Sequence, residues 1–110
     1  MQTILESQKF TIVKLQNSIT AANAYQIERK ITTVLRENSH LNILVDLRQV
    51  EFMDSSGLMA LMSSCKLAQS LQKRFSLCSV SNSLKIIIEL TQLDNVFEIF
   101  ESEAKYRETL

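Results

Sequence analysis

At 110 residues, 45% of them hydrophobic, the chain has the size and apolar content of one packed domain spanning residues 1–110. Its twelve basic and twelve acidic residues cancel, which leaves no electrostatic reason to expect nucleic acid or an anionic membrane as partner. No apolar run approaches the roughly 18 residues of a transmembrane helix, and Met1-Gln2-Thr3-Ile4-Leu5-Glu6 lacks a signal peptide's basic start and apolar middle, so a cytoplasmic protein without membrane insertion is expected.

In chain order, Ile4 to Ser7 and Phe10 to Leu15 form two short extended runs around Gln8-Lys9, which predict a hairpin. Thr20 can cap a helix running to about Asn38, because Ala24, Ile27, Ile31, Val34 and Leu35 share one face while Glu28, Arg29, Lys30 and Arg36 lie elsewhere. After the loop Asn38-Ser39-His40, the apolar run Ile43 to Leu47 reads as a strand. Leu58, Leu61, Met62, Cys65, Ala68 and Leu71, at three- and four-residue spacing, predict a second helix to about Gln72, and Phe75 to Val80 a further strand. A strand, helix and strand of these lengths make a βαβ unit with parallel strands, whose sites collect beyond the carboxyl ends of the strands.

The segment Leu84-Lys85-Ile86-Ile87-Ile88-Glu89-Leu90 pulls two ways. Three consecutive isoleucines favour a strand, whereas the capping types Ser81-Asn82-Ser83 and a shared face for Leu84, Ile87 and Ile88 favour a helix. Val96 to Phe100 would add a short last strand, and Ser102 to Leu110 a closing helix anchored by Ala104, Tyr106 and Leu110. Cys65 and Cys78 fall on predicted core positions and have neither the spacing of a redox or zinc motif nor more than one histidine, His40, to help; they read as buried free thiols.

The stretch with most chemistry is Phe52-Met53-Asp54-Ser55-Ser56-Gly57-Leu58, which holds the only glycine and sits where strand gives way to helix. Free N–H groups of the first helical turn and the helix dipole favour negative charge there, so a phosphate on a serine would be tolerated. The same three polar types cap helices, so one of them can equally be a plain cap. Met59 and Met62 follow closely; Met59 lies off the apolar face and either forms part of a docking patch or packs under the amino-terminal hairpin.

Those seven residues resemble the signature of the STAS domain, found in bacterial anti-sigma factor antagonists and at the C-termini of sulfate transporters. The wider pattern agrees along nearly the whole chain, ending at Leu90-Thr91-Gln92-Leu93-Asp94-Asn95-Val96-Phe97. The resemblance implies an α/β domain with a mixed sheet of about five strands and helices packed on it, including a helix at 84–90. It departs from the family near Leu15-Gln16-Asn17-Ser18-Ile19-Thr20, which lacks a common glycine and acidic residue, and at Gln92, where glycine is frequent. Asn17 can supply the left-handed backbone that glycine usually gives.

Catalysis by the motif is not expected. A nucleophile elbow needs G-x-S-x-G, but Met53 fills the first glycine position; His40 is the only histidine, and a Walker-type loop would need more glycine and a lysine. By resemblance Ser56, with Ser55 as alternative, would be phosphorylated by an anti-sigma factor that is also an ATP-dependent serine kinase. A metal-dependent serine phosphatase would reverse it, and the chain itself would need no cofactor. The expected docking surface takes in Thr20, Asp54, Ser55, Gly57, Leu58, Met59 and Met62. Two other outputs stay open: phospho-signalling with a non-sigma effector, and an accessory subunit docked on a membrane transport ATPase.

Overall fold

The computed structural model describes residues 3–6 and 9–110. Five strands form one mixed sheet in the order β1-β2-β3-β4-β5: β1 (Thr3–Glu6), β2 (Thr11–Ile19), β3 (Asn42–Met53), β4 (Arg74–Cys78) and β5 (Glu98–Phe100). β1 pairs antiparallel with β2, and every later pairing is parallel. Among the described residues the α-helices are α1 (Ala24–Glu37), α2 (Ser55–Ser70), α3 (Asn82–Leu90) and α4 (Glu103–Arg107), with a 3₁₀ turn at Leu93–Asn95. The expected α/β architecture and its βαβ unit are therefore present. Ser7 and Gln8, in the expected hairpin connection, lie outside the described residues.

Residues Ile43 to Leu47 of β3 are buried on both faces, which is why that part of the strand runs nearly apolar instead of alternating. Val13, Leu15, Ile43, Val45, Leu47, Phe75 and Leu77 belong to the larger core, with Ala24, Ile27, Ile31 and Leu35 of α1, Leu58, Leu61, Cys65 and Ala68 of α2, and Leu84 and Ile88 of α3. Phe10, Ile12, Leu44 and Cys78 form a smaller cluster with Tyr106 of α4. Each fully buried leucine, isoleucine or phenylalanine contributes about 1.5–3 kcal/mol, so the larger cluster dominates the fold's stability. Both cysteines are buried, and desolvation pushes the Cys78 thiol up to about 12, far from a reactive thiolate at neutral pH.

Several boundaries differ from the sequence expectation for identifiable reasons. β3 runs six residues past Leu47 because Arg48 to Met53 keep pairing with β2, through register shifts between Lys14 and Gln16 and between Asn17 and Ser18. Asn17 adopts φ 64 beside one of these shifts, the left-handed backbone expected of it; Gln92, at φ 62, does the same ahead of the 3₁₀ turn. α1 starts at Ala24, not next to Thr20, because residues 20–23 form a separate turn. Its other end is closed by Lys73, whose Nζ donates to the carbonyls of Leu35 (2.6 Å) and Asn38 (2.5 Å), where the dipole favours a cation.

α3 is a helix despite its isoleucines. Ser81 Oγ accepts from Leu84 N (3.3 Å), while Leu84 and Ile88, four residues apart, are buried together. Burial of two large side chains outweighs the few tenths of a kcal/mol by which each β-branched residue disfavours a helix. Of the three closing anchors only Tyr106 holds; Ala104 and Leu110 are exposed. Tyr106 is fully buried, with edge-on contacts to Phe10 and Phe100 at 5.2 and 5.4 Å between ring centres, because α4 is too short to bury more than one side chain.

Arg74 locks this corner. Its guanidinium lies 4.8 Å from the Tyr106 ring centre and grips Glu98 through Nε (2.6 Å) and Nη2 (3.1 Å), while Ser76 Oγ donates to the same carboxylate. The hydrogen bonds from Arg74, then from Ser76, hold the Glu98 carboxyl below its ordinary range, against the opposing pull of partial burial. A depressed folded-state pKa contributes stability above the unfolded value of about 4.3 and loses it as pH falls through the folded one. Urea melts at stepped pH should therefore show wild type weakening below about pH 5, and Glu98→Gln should flatten that acid limb while lowering stability at pH 7.

Candidate functional site

The ends of β2 and β3 come together at the pair Ile19 and Met53, and the chain then turns into α2. Asp54 makes the turn. Its N–H donates to Ile19 O (3.1 Å), and its extended backbone (φ −93, ψ −173) places the carboxylate over the helix start. Oδ1 accepts from Ser56 N (2.9 Å) and Gly57 N (3.1 Å), and Oδ2 accepts from Ala21 N (3.2 Å). Three otherwise orphaned or loop N–H groups are thus satisfied by one side chain. The capping role open to all three polar residues falls to Asp54, which leaves both serine hydroxyls uncommitted to it.

Gly57 explains itself by contact, not by unusual backbone. A Cβ there would lie 2.5 Å from Met53 Cγ and 2.9 Å from both Ile19 Cγ2 and Ile19 O. The first turn of α2 is pressed against the last residues of β2 and β3, and only a residue without a side chain fits.

Around this anchor the remaining expected residues separate into two groups. Ser55 is exposed, Ser56 is half-buried, and Met59 is 60% exposed, so it forms surface and does not pack under the hairpin. Leu58 (7% exposed) and Gly57 are buried and hold the turn in place, while Met62 is half-buried against the larger core. Thr20 is half-buried in the neighbouring turn: its carbonyl accepts from Asn23 N (3.0 Å) and Ala24 N (2.8 Å), and its Oγ1 from Ala22 N (3.3 Å). It organises the turn before α1 instead of occupying the cap position, which belongs to Asn23.

Sequence reasoning missed two contributors. Asn23 staples the turn by accepting from Thr20 N (2.9 Å) and donating to Ser18 O (2.9 Å), and Ala21 offers its N–H to Asp54. The asparagine three residues after Thr20 was a readable turn signal. The alanine was not, since it acts through its backbone. Together Asp54 and Asn23 join the turn at 20–23 to α2 as one surface at the carboxyl edge of the sheet.

His40 precedes β3 at its opposite end and is bonded to Thr11 Oγ1 through Nδ1 (2.8 Å), so it is not placed as a base for either serine. Among the described residues no cluster of three or more His, Cys, Asp or Glu is placed to hold a metal ion, and no helix is long and apolar enough to cross a membrane. Beside the motif the tail of β3 and the start of α3 enclose a groove of about 170 Å³, lined by Phe52, Met53, Leu84 and Ile87.

Comparison with known proteins agrees with this fold. An anti-sigma factor antagonist from Mycobacterium paratuberculosis superposes with a TM-score of 0.89 at 21% identity, covering 99% of this chain and 92% of its own. The antagonist SpoIIAA in its unphosphorylated form gives 0.75 at 14% identity, covering 99% and 96%. The Bacillus cell fate determinant SpoIIAA in its phosphorylated form gives 0.75 at 16%, covering all of both chains. At these identities the likeness is one of fold. The STAS domain model matches residues 2–106, nearly the whole sequence, and the chain therefore belongs to the STAS domain family.

Proposed function

We propose that this protein is an anti-sigma factor antagonist, a protein-interaction switch whose docking on an anti-sigma factor with serine kinase activity is turned off by phosphorylation of Ser56. The observation that carries the reading is the division of labour in the motif: Asp54 does the capping, so the Ser56 hydroxyl is available for modification without loss of the helix start. Unmodified, the chain would hold the anti-sigma factor and free its sigma factor. Phosphorylation adds roughly −1.5 to −2 charges beside Asp54, and a surface meant to be dehydrated on docking does not accept them cheaply. A metal-dependent serine phosphatase would restore binding. ATP and metal belong to those partners.

The chain shares its fold with SpoIIAA in both the unphosphorylated and the phosphorylated form, at a TM-score of 0.75 each, which supports a switch that needs no change of fold. The test is intact mass and peptide mapping of the chain purified from its own host, alongside Ser56→Ala and Ser55→Ala. The expected result is a phosphate on the peptide spanning residues 54–58 that disappears with Ser56→Ala and persists with Ser55→Ala. Absence of phosphate under every growth condition would overturn the reading.

A further inference from the structure

We propose that the cleft between α3 and the edge strand β5 takes up an extended, basic segment of a different protein as a further strand of the sheet. The site shares no residue with the motif at the start of α2, and it does not depend on phosphorylation of Ser56. β5 pairs with β4 alone and forms one edge of the sheet. Phe100 O accepts from Ser79 N (3.2 Å), so Phe100 turns its backbone polar groups toward β4. Successive residues of a strand turn theirs to opposite sides, which leaves the N–H and C=O of Ile99 directed outward from the sheet edge.

An open cleft of about 560 Å³ lies between this strand and α3. Ile88 and Ile99 give it apolar surface, and its charged residues are Lys85, Glu89, Asp94 and Glu101. Three carboxylates against one ammonium leave the cleft at −2, and among the described residues none of the four is in an ion pair. A free strand edge beside a groove is the arrangement by which a sheet gains a strand from a partner: backbone hydrogen bonds supply affinity, and alternate side chains enter the groove. Here those side chains meet carboxylates, so lysine or arginine at alternate positions is the complementary choice. A second copy of this chain does not fit, because the other sheet edge it could offer, β1, reads Thr3-Ile4-Leu5-Glu6 and brings a further carboxylate and no cation.

The test is selection from a library of random decapeptides displayed against the immobilised chain, followed by amide hydrogen exchange of wild type with and without a selected peptide. The expected result is enrichment of lysine or arginine at every second position and slowed exchange at Ile99. Affinity for the selected peptide should fall about tenfold in the triple variant Glu89→Gln, Asp94→Asn, Glu101→Gln. All three side chains are exposed, so the variant should melt with wild type, and the exchange at Ile99 is read on wild type in any case. Selected peptides without basic enrichment would overturn the proposal. So would binders that leave exchange at Ile99 unchanged, or recovery of no peptide above a bead-only control.

Discussion

Gly57→Ala is expected to lower the melting temperature by about 10 °C, a net loss of about 2 kcal/mol, although alanine is the better helix former by about 1 kcal/mol. The two effects oppose each other, and distance decides between them. A methyl group 2.5 Å from Met53 Cγ can be relieved by a rotamer change of the methionine. The 2.9 Å approaches to Ile19 Cγ2 and Ile19 O cannot be relieved so simply, because Ile19 is paired with Met53 and its carbonyl accepts from Asp54 N. Relief requires α2 to lift away from the strand ends, which loosens the Asp54 turn and the surface around Ser56 together. Calorimetry of the two proteins at neutral pH checks the prediction. A melting temperature at or above that of wild type would show that the strand ends yield and that helix propensity governs the site.

How much of this was legible in the sequence depended on whether the determining contacts were local. The βαβ unit and the motif's place at a helix start followed from an apolar run meeting a helical stripe, and burial of Leu58, Leu61, Cys65 and Ala68 agrees. The last six residues of β3 were hidden because Arg48, Gln49 and Glu51 interrupt the apolar run, and their strand character comes from pairing with a shifted β2. The second half of the site, at 20–23, was equally hidden: it exists through backbone groups of Ala21 and Thr20 and a carboxylate more than thirty residues away. That Tyr106 alone of the three closing anchors would hold was hidden for the same reason, since Phe10, Phe100 and Arg74 meet its ring only in the folded sheet.

On the proposed switch, conversion of Ser56 to aspartate, or better to phosphoserine, should leave the melting temperature within about 2 °C of wild type while weakening binding of the proposed partner at least about a hundredfold. At the second residue of α2 the dipole favours the added charge by about 0.3–1 kcal/mol. Asp54 opposes it by a comparable amount, because its Oδ1 already holds the N–H groups of Ser56 and Gly57 and leaves them unavailable to the newcomer. These contributions nearly cancel in the free protein. In the complex they do not, since a hundredfold loss corresponds to about 2.7 kcal/mol, well inside the several kcal/mol needed to desolvate one unpaired charge. Phosphoserine, carrying up to about two charges, should exceed aspartate in its effect on binding without exceeding it in its effect on stability. Calorimetric melting beside titration against the proposed partner kinase separates the two quantities. A melting temperature that falls in step with affinity would place the switch in the helix start and not at the interface.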